Sequence, residues 1–250
     1  LARGRTPGPD PGSPLNGLFL FGFAIFRQCD WFDGMATSPL EPIQETLSSR
    51  ERVRSALNHQ TTDRVPIAMV CSGINPPARR AFSKLLDERL GTDVDTFLNS
   101  FLDIRTVAPR YVGPAPASGF DMWGVKRDEM SYGDGSYNEI SHYPLAKAET
   151  PADLDRHRWP TTDWFEYDSL PERCRERRKD RDCALMVMNG NIFESSWYMR
   201  GFERMFMDFL DHPELAHAIL RRVADFWKAH FRKVLEQAAD EIDLVFTADD

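Results

Sequence analysis

Residues 184–207 (ALMVMNGNIFESSWYMRGFERMFM) constrain the fold more than any other stretch. An apolar run of strand length breaks at Asn189-Gly190-Asn191 and resumes with helical spacing. A strand that passes through a tight polar loop into a helix is the building unit of a parallel α/β sheet. In such sheets ligands bind beyond the carboxyl ends of the strands, where backbone N–H groups and the helix dipole converge. Asn189, Asn191, Ser195, Ser196 and Tyr198 are therefore expected to face a pocket. The plainer alternative is that the Asn and Ser residues only cap the helix.

The unit recurs along the chain. Ser48-Ser49-Arg50-Glu51 reads as a capping box, with Val53, Ala56 and Leu57 as the apolar face of a short helix. Residues 65–70 (VPIAMV) form a continuous apolar run, the pattern of a strand buried on both faces. A polar loop holding Ser72 and Asn75 follows, and residues 77–90 read as a helix stopped by Gly91. Residues 102–107 (LDIRTV) give a second strand, with Asp103 and Arg105 on one side. A charge on a buried strand needs a partner or a site to line. Asp103 is thus either half of an ion pair or a pocket carboxylate, and Arg105 is a second candidate ligand group.

Between residues 113 and 183 the rhythm is interrupted. An excursion at about residues 114–145 carries a hairpin signal at Gly133-Asp134-Gly135. The mixed charge run at residues 172–182 (ERCRERRKDRD) reads as a solvated helix face. Asp211-His212-Pro213-Glu214 pairs an N-cap with an acid, and Leu215, Ile219, Val223, Phe226, His230 and Val234 follow at helical spacing. His217 and His230 have no ligand-spaced partner and read as surface and packing residues. Residues 243–247 (DLVFT) are the next strand, and it runs into Asp249 and Asp250, at the end where barrel active sites lie.

This pattern predicts a (β/α) barrel, with an open doubly wound sheet as the second choice; no GxGxxG or GxxxxGK[ST] supports a nucleotide-binding version. The net charge of -8 argues against nucleic acid as a partner. Cys29, Cys71, Cys174 and Cys183 are scattered without ligand spacing, so they read as reduced cytoplasmic thiols, and no metal site is expected within this chain. Residues 1–34 differ from the rest: a Pro/Gly-rich start precedes an apolar run at residues 15–26, too short to span a bilayer. They are expected to be a non-native or disordered leader, with residues 35–250 forming one domain and no membrane association.

Several segments, in order, carry a family resemblance: SSRERVRSALNHQTTDRVPI at residues 48–67, FLDIRTVAPRYVGP at 101–114, FDMWGV at 120–125, WYMRGFERMFMDFLDHPE at 197–214 and DLVFTADD at 243–250. Together they resemble the uroporphyrinogen decarboxylase (URO-D) superfamily, which also holds the cobamide-dependent methyltransferases. The resemblance implies the N-terminal part of one (β/α)8 barrel, truncated after about four strands, with a tetrapyrrole- or corrinoid-related pocket. It places a pyrrole-ordering aspartate at Asp103 and a site tyrosine at Tyr198, the two expected catalytic residues. Ser72, Asn75, Arg105, Asn189, Asn191, Ser195, Asp249 and Asp250 are the expected substrate-binding residues.

The arginines that pair with substrate carboxylates in the decarboxylases are missing from the loop after residues 65–70, which holds Cys71-Ser72-Gly73-Ile74. A substrate with many carboxylates needs such charge-assisted partners. The expected activity is therefore cobamide-dependent methyl transfer, with uroporphyrinogen decarboxylation in porphyrin biosynthesis as the alternative. A non-catalytic partner subunit is the reading from another class. No cofactor is fixed by the residues themselves; the methyltransferase branch implies zinc and a corrinoid, with zinc ligands outside this chain. The expected partners are a small methylated or tetrapyrrole substrate, a corrinoid protein and a second copy in a homodimer.

Overall fold

In the computed structural model the described residues are 44–69, 73–133 and 135–249, so the expectation for residues 1–34 lies outside them. The capping box forms as read. Ser48 Oγ accepts the Glu51 N–H at 3.2 Å and Glu51 returns a carboxylate to the Ser48 N–H at 2.8 Å, opening helix α1 (Ser49–Leu57). Helix α2 (Pro76–Leu90) stops where Gly91 takes a left-handed φ of 61°, and Asp93 caps helix α3 (Val94–Asn99) through the N–H groups of Asp95 and Thr96.

Strands β1 (Ile104–Thr106), β6 (Ala184–Met188) and β7 (Leu244–Phe246) form a parallel sheet in the order β1-β6-β7. Between β1 and β6 the chain makes two antiparallel pairs. Strand β2 (Arg110–Tyr111) pairs with β5 (Phe165–Glu166), and β3 (Lys126–Tyr132) pairs with β4 (Gly135–His142) around Gly133, as the hairpin signal suggested. Helix α4 (Leu170–Arg177) precedes β6, while α5 (Ile192–Arg200), α6 (Phe202–Asp211) and α7 (Pro213–Ala238) separate β6 from β7.

Helix α7 organises the interior. Its buried residues Leu215, Ile219, Val223, Phe226, His230 and Val234 recur at helical spacing, and they serve two apolar clusters. One joins Trp123, Val125, Leu145, Leu154 and Met199 to the first half of α7. The other joins Val107, Leu170, Cys174, Leu185 and Val187 to its second half, filling the space between the sheet and α4. Its N-cap is His212 without a side-chain bond; the Asp211 expected there ends α6 instead.

Two expectations are corrected. Residues 65–70 were expected to be a doubly buried strand, yet residues 65–69 are extended without strand pairing, and Val65 is 79% and Ile67 43% exposed. Pro66 has no N–H to give, and the backbone carbonyl of Ile67 meets only the Asp103 N–H at 2.8 Å. The charge run also turns partly inward. Arg178, just past α4, reaches Asp243 at 2.6 Å and Glu241 at 2.9 Å, and Asp180 reaches Arg105 at 2.6 Å. Among the described residues the parallel sheet has three strands and is open at both edges.

Unpaired edges lined by apolar side chains template self-association. Thr106→Lys together with Val245→Lys, at exposed positions of the two edge strands β1 and β7, is expected to lower the sedimentation-average mass of the chain at a given concentration. Unchanged association would show that these edges are covered.

A second prediction concerns acid. His230 lies 6% exposed in the core, its Nδ1 sharing a 2.9 Å hydrogen bond with the Tyr167 hydroxyl. Burial pushes the His230 imidazolium down to about 4 and the Tyr167 phenol up to about 12, so the phenol donates and a neutral imidazole accepts. The unfolded chain binds a proton at this histidine below about 6.5 and the folded chain does so only below about 4. His230 therefore contributes in full above 6.5, and about 3 kcal/mol is lost as the pH falls through that window. His157, also pushed down by burial, adds to the same slope. Urea midpoints measured from pH 7 to pH 4 should fall less steeply in His230→Phe than in the wild type.

Candidate active site at the carboxyl ends of the parallel strands

Strand β6 delivers the chain to the site. Asn189 and Gly190 turn it with φ values of 93° and 100°. Gly190 is required by space as well as by φ: a Cβ there would lie 2.8 Å from Phe231 Cε2 and 2.9 Å from Thr247 Cγ2. Helix α5 then starts with Asn191 at its N-cap, but the side chain makes no capping bond. The free N–H groups of Ile192, Phe193 and Glu194 are instead taken by the carboxylate of Asp249, at 2.8, 2.9 and 2.8 Å. A carboxylate from beyond β7 thus satisfies three helix-terminal donors and the positive end of the helix dipole.

In the same first turn, the side chain of Glu194 is the centre of a polar cluster. The Asn191 side-chain amide donates to one carboxylate oxygen and the Tyr198 hydroxyl donates to the other. The spacing of Asn191, Glu194 and Tyr198 puts all three on one side of α5. Above the Tyr198 ring, 4.8 Å from its centroid, lies the guanidinium of Arg127 from β3. Arg127 is held by Asp121 at 2.8 Å, and the other Asp121 oxygen accepts the N–H groups of Trp123 and Val125 at 2.9 and 3.0 Å. A phenol hydrogen-bonded to a carboxylate is a group that can give and recover a proton, and a cation on its face favours the charged form.

Of the residues expected from sequence, Asn189, Asn191, Ser195, Tyr198 and Asp249 come to this end of the sheet; Ser195 is buried on α5 and Asn189 is exposed in the turn. Ser72 and Asp250 lie outside the described residues. Asn75 stands at the start of α2, where its amide donates to the Ser136 carbonyl of β4 at 3.1 Å. Glu194 and Arg127 were not anticipated. The first had a signal, an acid four residues before a tyrosine on a helix; the second depends on where the hairpin folds.

Asp103 and Arg105 lie elsewhere, which corrects the expectation that Asp103 and Tyr198 line one pocket. Asp103 precedes β1 and its carbonyl accepts the N–H of Ala184, the first residue of β6, so it sits at the amino ends of the strands. It is completely buried. Its carboxylate accepts from Ser49 Oγ at 2.6 Å, Arg52 at 2.7 Å, Arg64 at 2.6 and 3.0 Å, and the Ile67 N–H at 2.8 Å. Burial pushes this carboxyl upward, but the bonds from Arg64, Ser49 and Ile67 outweigh it and the net shift is down. Arg105 is engaged by Asp180 through both oxygens at 2.6 and 2.8 Å and by the carbonyls of Arg177 and Asn99. Both are locked in the chain's own contacts.

No group of three or more His, Cys, Asp or Glu among the described residues is placed to hold a metal ion. Cys174 and Cys183 are free, buried thiols, each pushed up by burial. No helix among the described residues is long and apolar enough to cross a membrane.

No protein-family model matches the chain, and no curated protein matches it. Among solved structures it is similar to a methyltransferase from Methanosarcina mazei. The two chains are 16% identical with a TM-score of 0.44, over 81% of this chain and 59% of that one. The chain therefore spans less than two thirds of that structure's length.

The burial of Asp103 generates a prediction about stability. Asp103→Asn removes the buried charge that Arg52 and Arg64 share, leaving them Asp63 and Glu45 as acidic partners, and should cost up to about 3 to 5 kcal/mol, read from urea denaturation. A variant as stable as the wild type would return Asp103 to the list of functional carboxylates.

Proposed function

We propose that this chain is an enzyme, or part of one, whose chemistry takes place at the carboxyl ends of its parallel strands, and that the reaction is methyl transfer of the kind found in the cobamide-dependent branch of the uroporphyrinogen decarboxylase superfamily. The observation that carries the reading is the Glu194–Tyr198 pair, a carboxylate and a phenol in hydrogen bond at the end of the sheet where barrel enzymes work. In this reading β1, β6 and β7 belong to a (β/α)8 barrel whose remaining strands close the two open edges.

A methyl group leaving nitrogen, oxygen or sulfur departs more easily if the heteroatom is protonated as the bond breaks. Tyr198 is the donor of that proton, and Glu194 orients the phenol. Asn191 holds the second Glu194 oxygen, which fixes the carboxylate plane. Zinc and a corrinoid belong to the implied branch, but the described residues do not fit a zinc site, so no step is routed through either. Decarboxylation is the weaker alternative. The aspartate that the resemblance assigns to ordering pyrrole N–H groups accepts five hydrogen bonds from within the chain, counting both from Arg64.

The test is methyl transfer from methylated amines, alcohols and thiols to cob(I)alamin, followed by its absorbance, with uroporphyrinogen consumption run alongside. Tyr198→Phe should lower kcat roughly 10²- to 10⁴-fold with little change in melting temperature. A Tyr198→Phe protein with wild-type kcat would overturn the assignment. Uroporphyrinogen turnover without methyl transfer would favour the alternative.

A further inference from the structure

Most of the length of the β3–β4 hairpin is solvent-exposed. Its base is different. Arg127, the second residue of β3, is half-buried over the Tyr198 ring with its centroid 4.8 Å away. Asp121 fixes that guanidinium at 2.8 Å while capping the turn that inserts Trp123 and Val125 into the core. Among the described residues, charged groups near the phenol include Glu194 on its own helix, Arg127 from the hairpin with Asp121 behind it, and Asp249 at the start of α5. Helix α7 faces it with the apolar cluster of Leu215, Ile219 and Val223. From α6, Phe202 reaches Trp197, which stands 4.3 Å from the Tyr198 ring.

We propose that Arg127 is a positioning residue for Tyr198: the hairpin base carries a cation onto the face of the phenol ring, which fixes the ring toward Glu194 and makes the phenol more acidic than Glu194 alone would leave it. Glu194 opposes loss of the phenolic proton because two negative charges would then face each other, and Arg127 offsets that by stabilising the phenolate. The two neighbours act in opposite directions on one proton, which keeps the phenol able both to give the proton and to take it back. The proposal rests on reading the Glu194–Tyr198 pair as the proton-transfer site, but its test does not use turnover.

The experiment is a titration of the full chain carrying ¹³C at tyrosine Cζ, with the Tyr198 resonance assigned by its loss in Tyr198→Phe. Arg127→Gln should raise the phenol's pKa by roughly one unit, Arg127→Lys should restore a part of that shift, and Glu194→Gln should move it the other way. Arg127→Met keeps the aliphatic stem and should match Gln, which covers the case in which Arg127→Gln does not fold. A Tyr198 titration unchanged in whichever neutral variant folds, or Lys behaving as the neutral variants do, overturns the proposal. Absence of methyl transfer with these shifts intact would instead overturn the functional reading and leave the role of Arg127 standing.

Discussion

Two carboxylates buried at the amino ends of the parallel strands set the architecture. Asp103 precedes β1 and Asp243 precedes β7, and their side chains are 0% and 1% exposed. A carboxylate taken that far from water must be met by cations and N–H donors or the fold loses several kcal/mol. The cations come from α1, where Arg52 serves Asp103 while Arg50 and Arg54 serve Asp243, and from Arg64 and Arg178. The same bonds fasten α1 beneath the sheet and draw the residues after α4 inward. What looks like an abundance of ionic chemistry at this end is a structural joint whose acceptors are already filled.

The candidate site lies at the opposite end, away from that joint. At the carboxyl ends the Asp249 carboxylate is spent on the helix donors of α5. Glu194 lies in the first turn of α5, where the helix dipole acts on it, and Tyr198 lies one turn further on. Separation of the pinned amino ends from the end that carries the β-to-α turns follows from strand polarity, because every such turn emerges on the same side.

Local signals were readable from the sequence because their causes are local. The Ser48–Glu51 box, the Gly91 stop, the turn at Gly133 and the apolar spacing of α7 each depend on residues within a few positions of one another. Tyr198, Asn191 and Asp249 lie beyond the carboxyl ends of β6 and β7 because strand–loop–helix order alone fixes that placement. Asp103 was misplaced because its identity gives no hint of its partners: Ser49, Arg52 and Arg64 lie 39 to 54 residues away in sequence. Residues 65–69 read as a buried strand because apolar content measures what a segment would gain from cover, and says nothing about whether a neighbour is there to supply it. Arg127 was invisible for the same reason as the partners of Asp103, since only the folded hairpin brings it to α5.

The hairpin base then links the site to the core. Asp121 spends one carboxylate oxygen on the turn at residues 121–125 and the other on Arg127, so the guanidinium cannot move without disturbing that turn. Trp123, in the same turn, packs edge-on against Phe226 at 5.1 Å and lies 6.1 Å from Trp227, both on α7. Met199 of α5, next to Tyr198, belongs to the same cluster. The cation and the phenol are therefore positioned from two sides by one packed set of side chains, and because close-packed interiors resist small displacements, their separation is held by α7 and not by the exposed strands of the hairpin. A hairpin whose strands are largely exposed can in this way supply a fixed charge to a site, provided its base is built into the core.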